Sequence, residues 1–233
     1  MGELQPHKRV NDILLGPLER PALKWLAAHT PARVTPDMMS AIGVAGALIT
    51  LLGYALSQLD RNFLWLASLG FVINWFGDSL DGTIARYRHI ERPRYGYFID
   101  HTLDAFCQIM VFVGLGLTPY VDFRISLLCL VAYMLLSVLV YVRTYVVGHF
   151  QLSYGKLGPT EVRVIAILLN LGMYLGGIRP AGLTWQLAGR MTISIYDVIV
   201  LAVAALLAYF FVTSWWAQAR QLAKLEPAPK PNQ

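Results

Sequence analysis

"GDSLDGTIARYRHIERPRYGYFIDHTLDA", Gly77–Ala105, puts four aspartates and several arginines in the middle of an apolar chain. The residues on either side are rich in hydrocarbon side chains. The chain has 233 residues, of which 56% are hydrophobic and 14% charged. Soluble domains are about 25% charged, so this composition points to a membrane. A helix needs about 20 mostly apolar residues to cross a bilayer. The sequence predicts six such spans: Met38–Leu59, Phe63–Tyr87, Tyr97–Leu117, Ile125–Val147, Glu161–Gly177 and Ile193–Trp216. The first acidic pair closes the second span and the second pair opens the third.

Charge asymmetry predicts the orientation. Lys8, Arg9, Arg20, Lys24 and Arg33 precede the first span; Arg86, Arg88, Arg92 and Arg94 fill the link between the second and third. Lys156 precedes the fifth, and Arg220, Lys224 and Lys230 follow the sixth. The other side holds only Arg61, Arg124, Arg179 and Arg190. Both termini are therefore expected in the cytoplasm. The net charge of +5 is an orientation signal, with anionic lipid headgroups and not nucleic acid as its partner. Three regions follow: a cytoplasmic N-terminal segment over 1–35, a six-helix membrane domain over 36–218 and a disordered cytoplasmic tail over 219–233. The first 35 residues lack the unbroken apolar core of a secretory signal. Within them "NDILLGPLERPALKWLAAH" mixes apolar and charged residues and reads as a helix on the membrane surface, the alternative being a loop broken by Pro17 and Pro21. Cys107 and Cys129 fall inside spans and are expected in core packing.

A carboxylate inside a bilayer costs about 3 kcal/mol even on a lenient insertion scale, so such groups face the protein interior or a wet cavity. Asp78 and Asp81 are three apart and Asp100 and Asp104 four apart, so each pair shares a helix face. The Arg- and Pro-rich link lets the two helices return antiparallel, and all four acids then meet at one depth, just inside the cytoplasmic interface. Four carboxylates repel unless protonated or neutralised. Hard divalent cations suit all-oxygen sites, and magnesium commonly pairs a few carboxylates with substrate phosphates. Gly82 lets a ligand approach the backbone, Ala85 keeps the next turn low, and Arg86 supplies a fixed positive charge suited to phosphate. A structural pairing of the acids with arginine is the plainer alternative. An ion pathway would spread its acids over several depths, commonly on repeat-related broken helices, and the sequence has neither feature. A non-catalytic scaffold would not need the glycine and arginine.

Asp78-x-x-Asp81-Gly82-x-x-Ala85-Arg86, nine residues, then Gly96-x-x-x-Asp100-x-x-x-Asp104 resembles the motif of the CDP-alcohol phosphotransferases, with all eight fixed positions present. "TPDMMSAIG", Thr35–Gly43, is similar to that family's TPNxxTxxG, with Asp37 and Ser40 in place of Asn and Thr. The resemblance implies transfer between a CDP-linked alcohol and the hydroxyl of a second alcohol, with CMP leaving. It implies Asp78, Asp81 and Asp100 as ligands of one or two Mg2+ or Mn2+ ions, and Asp104 as general base that also touches metal. It implies Gly82, Ala85, Arg86 and Gly96 around the CDP moiety, and a homodimer. Two branches stay open. In one, CDP-diacylglycerol is the donor and a small polar alcohol such as glycerol phosphate, inositol phosphate or serine accepts. In the other, CDP-choline or CDP-ethanolamine is the donor and diacylglycerol accepts. Length and span count favour the first; His101 directly after Asp100 is similar to a form found in the second. A phosphorylated acceptor needs cations, and Arg143 and Arg163 are candidates; the alternative for both is charge balance of the acidic centre or contact with lipid phosphates. Pro159 and Thr160 are expected to start a helix that places Glu161 near the interface. Asp197 is expected to be structural.

Overall fold

The protein's structure, a computed structural model, describes residues 8–10, 14–147, 149–151, 158–178, 184–187 and 191–226. It is built of helices α1 (Gly16–His29), α2 (Pro36–Leu56), α3 (Phe63–Tyr87), α4 (Pro93–Gly116), α5 (Phe123–Val147), α6 (Pro159–Gly176) and α7 (Ile195–Leu225). Four short strands accompany them. β1 (Lys8–Val10) pairs in parallel with β2 (His149–Gln151), and β3 (Thr184–Leu187) pairs antiparallel with β4 (Met191–Ser194). The strands were not expected, and β4 occupies the first residues assigned to the last span.

Among the described residues, α2, α3, α4, α5 and α7 are long and apolar enough to cross a membrane. The expected count of six rests on these five plus α6. That helix has only 18 residues and carries Glu161, Arg163 and Asn170, which lower its apolarity. Side chains nevertheless tie α6 into the interior. The Tyr54 hydroxyl donates to Asn170 Oδ1 (2.8 Å), and Asn170 Nδ2 donates to Ser68 Oγ (3.0 Å), joining α2, α6 and α3 through three buried residues.

Local chemistry explains where the helices start. Pro36, Pro93 and Pro159 stand in the first turns of α2, α4 and α6, where a missing N–H costs nothing. Thr35 Oγ1 accepts from Met38 N (3.2 Å) and caps α2. Pro17 likewise opens α1, so the proline that threatened this helix begins it; Pro21 is tolerated inside, and residues 11–13 lie outside the described set. α7 stays helical through Leu225, beyond the expected tail boundary at 218, because "AQARQLAKL" contains no helix breaker before Pro227.

The most extensive helix contact among the described residues joins α2 to α3. Its seam is made of small residues: Gly43, Gly46 and Gly53 face Ala67, Gly70 and Gly77. A Cβ at Gly46 would come within 2.8 Å of the Asn74 Cα and of the Gly70 carbonyl oxygen, so the two backbones touch. Dispersion at that short range substitutes for the hydrophobic driving force that lipid removes. Apolar clusters close both ends of the bundle. Leu23 and Ala27 of α1 pack on Met39, Leu80 and Ile84, while Tyr54, Leu64, Phe71, Leu115, Cys129, Met173, Tyr196 and Val200 fill the opposite end. The acidic segments of α3 and α4 lie toward the α1 end.

Candidate active site

The α2–α3 seam and the return of α4 along α2 bring the acids together. One carboxylate oxygen each from Asp78, Asp100 and Asp104 lies within 4.8 Å of the other two, and all three residues are half-buried. They line a small cavity of about 20 Å³ with Ser40, Asn74, Asp81 and Cys107. That is room for a water molecule or a bare ion and little more. Asp81 faces this cavity but its carboxylate is turned elsewhere: Oδ2 accepts from Ser40 Oγ (2.6 Å), and Oδ1 accepts from the Gly82 amide. Three of the four sequence-predicted acids therefore form one cluster and the fourth borders it. Ser40, the departure seen in the sequence, is thereby a hydrogen-bond donor to that fourth acid. Cys107, expected in plain core packing, is buried and also borders the acids.

Arg163 is a cation in close contact with the cluster. It donates from Nη2 to Asp78 Oδ2 (2.6 Å) and from Nε to Asn74 Oδ1 (2.9 Å), with its side chain only 12% exposed. Asn74 holds the arrangement from below by donating through Nδ2 to the Gly43 carbonyl (2.9 Å). The charge-balance alternative for Arg163 is thus the contact observed. Arg143 lies half-buried near the end of α5, two residues after Tyr141, whose ring meets His101 edge-on (centroids 5.0 Å). Neither arginine lines the cavities described here. Lys156 is outside the described residues.

A second pocket of about 470 Å³ adjoins the first and shares Ser40, Asp81 and Asp100 with it. Gly82, Ala85, Arg86 and Gly96 all line it, and its far end carries Asp37, Arg92 and Tyr95. An ideal Cβ at Gly96 meets nothing within 4 Å, so any larger residue there would fill pocket space. At Gly82 a Cβ would approach Arg86 Nη1 at 3.1 Å, so the missing side chain leaves room for that guanidinium. Asp37 and Arg92 form an ion pair in the pocket lining, with the Arg92 guanidinium 3.9 Å from the Tyr95 ring centroid. His101 also lines the pocket. Its Nδ1 donates to the Tyr97 carbonyl (2.8 Å), its ring stacks on Tyr97 (centroids 4.0 Å), and Asp100 Oδ2 lies 3.8 Å from that nitrogen.

Three carboxylates at this spacing form a hard, all-oxygen donor set, the kind that accepts magnesium or manganese. The donor set fits a divalent cation, and the adjoining pocket has the size range of a small-molecule site. An acid-lined, ion-sized cavity thus opens beside a larger pocket that carries Arg86, Arg92, Gly82 and Gly96.

A sequence model of the CDP-alcohol phosphatidyltransferase family matches residues 33–217, and the chain belongs to that family. The family transfers phosphate-containing groups and is generally metal-dependent. Among relatives, a phosphatidylinositol phosphate synthase of Cutibacterium acnes is 38% identical over 88 residues, 37% of this chain and 39% of that protein. An uncharacterised protein of Aquifex aeolicus is 37% identical over 78 residues, 31% of this chain and 39% of that protein. The chain thus spans about two fifths of the length of each curated relative it matches.

Three contributors had escaped the sequence analysis. Asn74 lies one turn before Asp78, and a lone amide at that spacing in an apolar span was a readable signal. Arg88 donates to the carbonyls of Thr30 (2.9 Å), Pro31 (3.0 Å) and Val34 (2.6 Å), fastening the α1–α2 link to the end of α3. Glu19 is the third; its side chain reaches both α3 and α6.

Proposed function

We propose that this chain transfers a phosphatidyl group from CDP-diacylglycerol to a small polar alcohol at the membrane surface, releasing CMP. The observation that carries the reading is the series of two cavities: one ion-sized and acid-lined, the other lined by Gly82, Ala85, Arg86 and Gly96. Asp78, Asp100 and Asp104 would hold the Mg2+ or Mn2+, with Asp81 as a further ligand after release from Ser40. A bound divalent cation would neutralise the diphosphate and stabilise charge on the leaving CMP. Arg86 would pair with a phosphate. Asp104 would accept the proton of the attacking hydroxyl, whose own acidity is far too weak to ionise unaided. The lipid donor and the soluble acceptor meet because the centre stands at the helix ends.

The relative named phosphatidylinositol phosphate synthase makes an inositol phosphate the first acceptor to try, with Arg143 as the cation for its phosphate and Arg163 shared between that phosphate and Asp78. α6 would be the sixth span, α1 would lie on the cytoplasmic membrane surface with both termini inside, and the protein would work as a homodimer. The test is CMP release by purified protein from CDP-diacylglycerol, with Mg2+ or Mn2+ and, separately, inositol phosphate, glycerol phosphate and serine. CDP-choline with diacylglycerol is the control for the other branch. Release with one polar acceptor supports the reading; release only from CDP-choline, or from none of the donors, sinks it.

A further inference from the structure

We propose that Glu19 is a positioning residue for the acidic centre, holding the helix that carries Asp78 in register with the helix that carries Arg163. The inference rests on the phosphatidyl-transfer reading of that centre. Glu19 is on α1, outside the site, and contacts neither cavity. Its Oε1 nevertheless accepts from three side chains on two other helices: Trp75 Nε1 (2.8 Å) and Ser79 Oγ (3.3 Å) on α3, and Thr160 Oγ1 (2.9 Å) on α6.

The spacing gives the contact its meaning. Trp75 and Ser79 flank Asp78 on α3, and Thr160 is one turn before Arg163 on α6. One layer deeper, Arg163 of α6 binds Asn74 and Asp78 of α3. Among the described residues the α3–α6 contact therefore has three polar rungs: this outer one, made through a third helix, the Arg163 rung, and Asn170 to Ser68 further along the pair. A second carboxylate closes the frame from the other side: Glu161 accepts from Leu15 N (2.7 Å), just before α1, and from Gly158 N (2.9 Å) at the start of α6. Asn170 ties α6 to Ser68 two turns further along, so at the reacting end the register of α6 on α3 is held by the Glu19 and Arg163 rungs. A slide would carry the Arg163 guanidinium off Asp78. Misplacement on the scale of an ångström costs up to about 10²-fold in rate. The contact also connects α1, whose outward face exposes Leu18 and Trp25, to the reacting end of the bundle.

The full-length protein in lipid nanodiscs tests this with Glu19→Ala, Glu19→Gln and Thr160→Val. Glutamine keeps an acceptor oxygen, so Glu19→Gln is expected to stay within about two-fold of wild type, whereas Glu19→Ala lowers kcat for CMP release about ten-fold with little change in KM for the donor. Adding Thr160→Val to Glu19→Ala should cost nothing more, since both cut the same rung. Hydrogen exchange supplies a readout independent of turnover: the amides of the first turns of α6 should exchange faster in Glu19→Ala than in Glu19→Gln. Unchanged exchange in Glu19→Ala, an unchanged kcat, or a glutamine variant as slow as the alanine variant would each overturn the assignment. A wild-type protein that releases no CMP overturns the phosphatidyl-transfer reading instead, and the exchange data then judge the tie between α1, α3 and α6 separately.

Discussion

Asp197 and Asp78 are both aspartates in an apolar helix bundle, and their surroundings differ in kind. Asp197 is 3% exposed at the start of α7, where Oδ1 accepts from Asp122 N (2.7 Å) and Oδ2 from Ser194 N (2.9 Å) and Ser194 Oγ (3.0 Å). Ser194 Oγ in turn accepts from Asp197 N (3.2 Å), completing a capping box. Each contact of the Asp197 carboxylate is with a donor, and the result is a closed helix end. Asp78 instead stands within 4.8 Å of two further carboxylates, with one guanidinium in close contact. Like charges gathered that way oppose folding unless a proton or a cation offsets them, and the donor set fits a divalent cation. Donors around an acid indicate architecture, whereas acids around an acid leave charge for something else to balance.

Mutations can break this contrast. The largest effect is expected from Asp104→Asn. CMP release should fall about 10²–10⁴-fold, the range for losing a general base. Its melting temperature in chelator should not fall below that of wild type, because one repelling charge is gone. A drop in stability equal to the drop in activity would make Asp104 architectural. Gly46→Leu comes next. The α2–α3 seam has no room for a side chain, and overpacking there should cost about 3 kcal/mol in a detergent unfolding assay, with activity lost as Ser40 and Asp81 separate. Asp197→Ala is expected to remove about 2 kcal/mol of stability through the lost cap while kcat at a temperature well below melting stays near wild type. Loss of kcat without loss of stability would reverse the assignment of the two ends.

The smallest effect sharpens the structural end. Arg124 hydrogen-bonds Asp122 (2.9 Å) and holds its carboxyl below the usual carboxylate range. A depressed folded value means the contribution to stability is present above the unfolded value of about 3.9 and is lost as pH falls through the folded one. Wild type should therefore lose a small increment of stability on acidification from pH 4 downward that Asp122→Asn lacks. Identical acid slopes for the two proteins would dismiss the pair as a contributor.

The acidic motif was legible because its spacing encodes geometry: residues three and four apart must share a helix face, whatever surrounds them. The spans were legible because apolar length is a local property. What lay outside the sequence's reach is tertiary. That Asp81 turns to Ser40 while Asp78 turns to Arg163 depends on helices joined by distant segments. The partners of Glu19 lie 56, 60 and 141 residues away in the chain. α6 was the hardest element, since its polar residues, which weaken the span signal, are the ones that bind it to α2 and α3. The strand pairs carried no alternating apolar pattern long enough to announce them.

α7 offers a practical consequence. Its 31 residues give a rod of about 46 Å, against a hydrocarbon layer of about 30 Å. A helical fusion partner spliced in phase after Leu225 would inherit the direction of α7 without a hinge, giving a small protein of 26.0 kDa the rigid fiducial mass that particle alignment in electron cryomicroscopy demands.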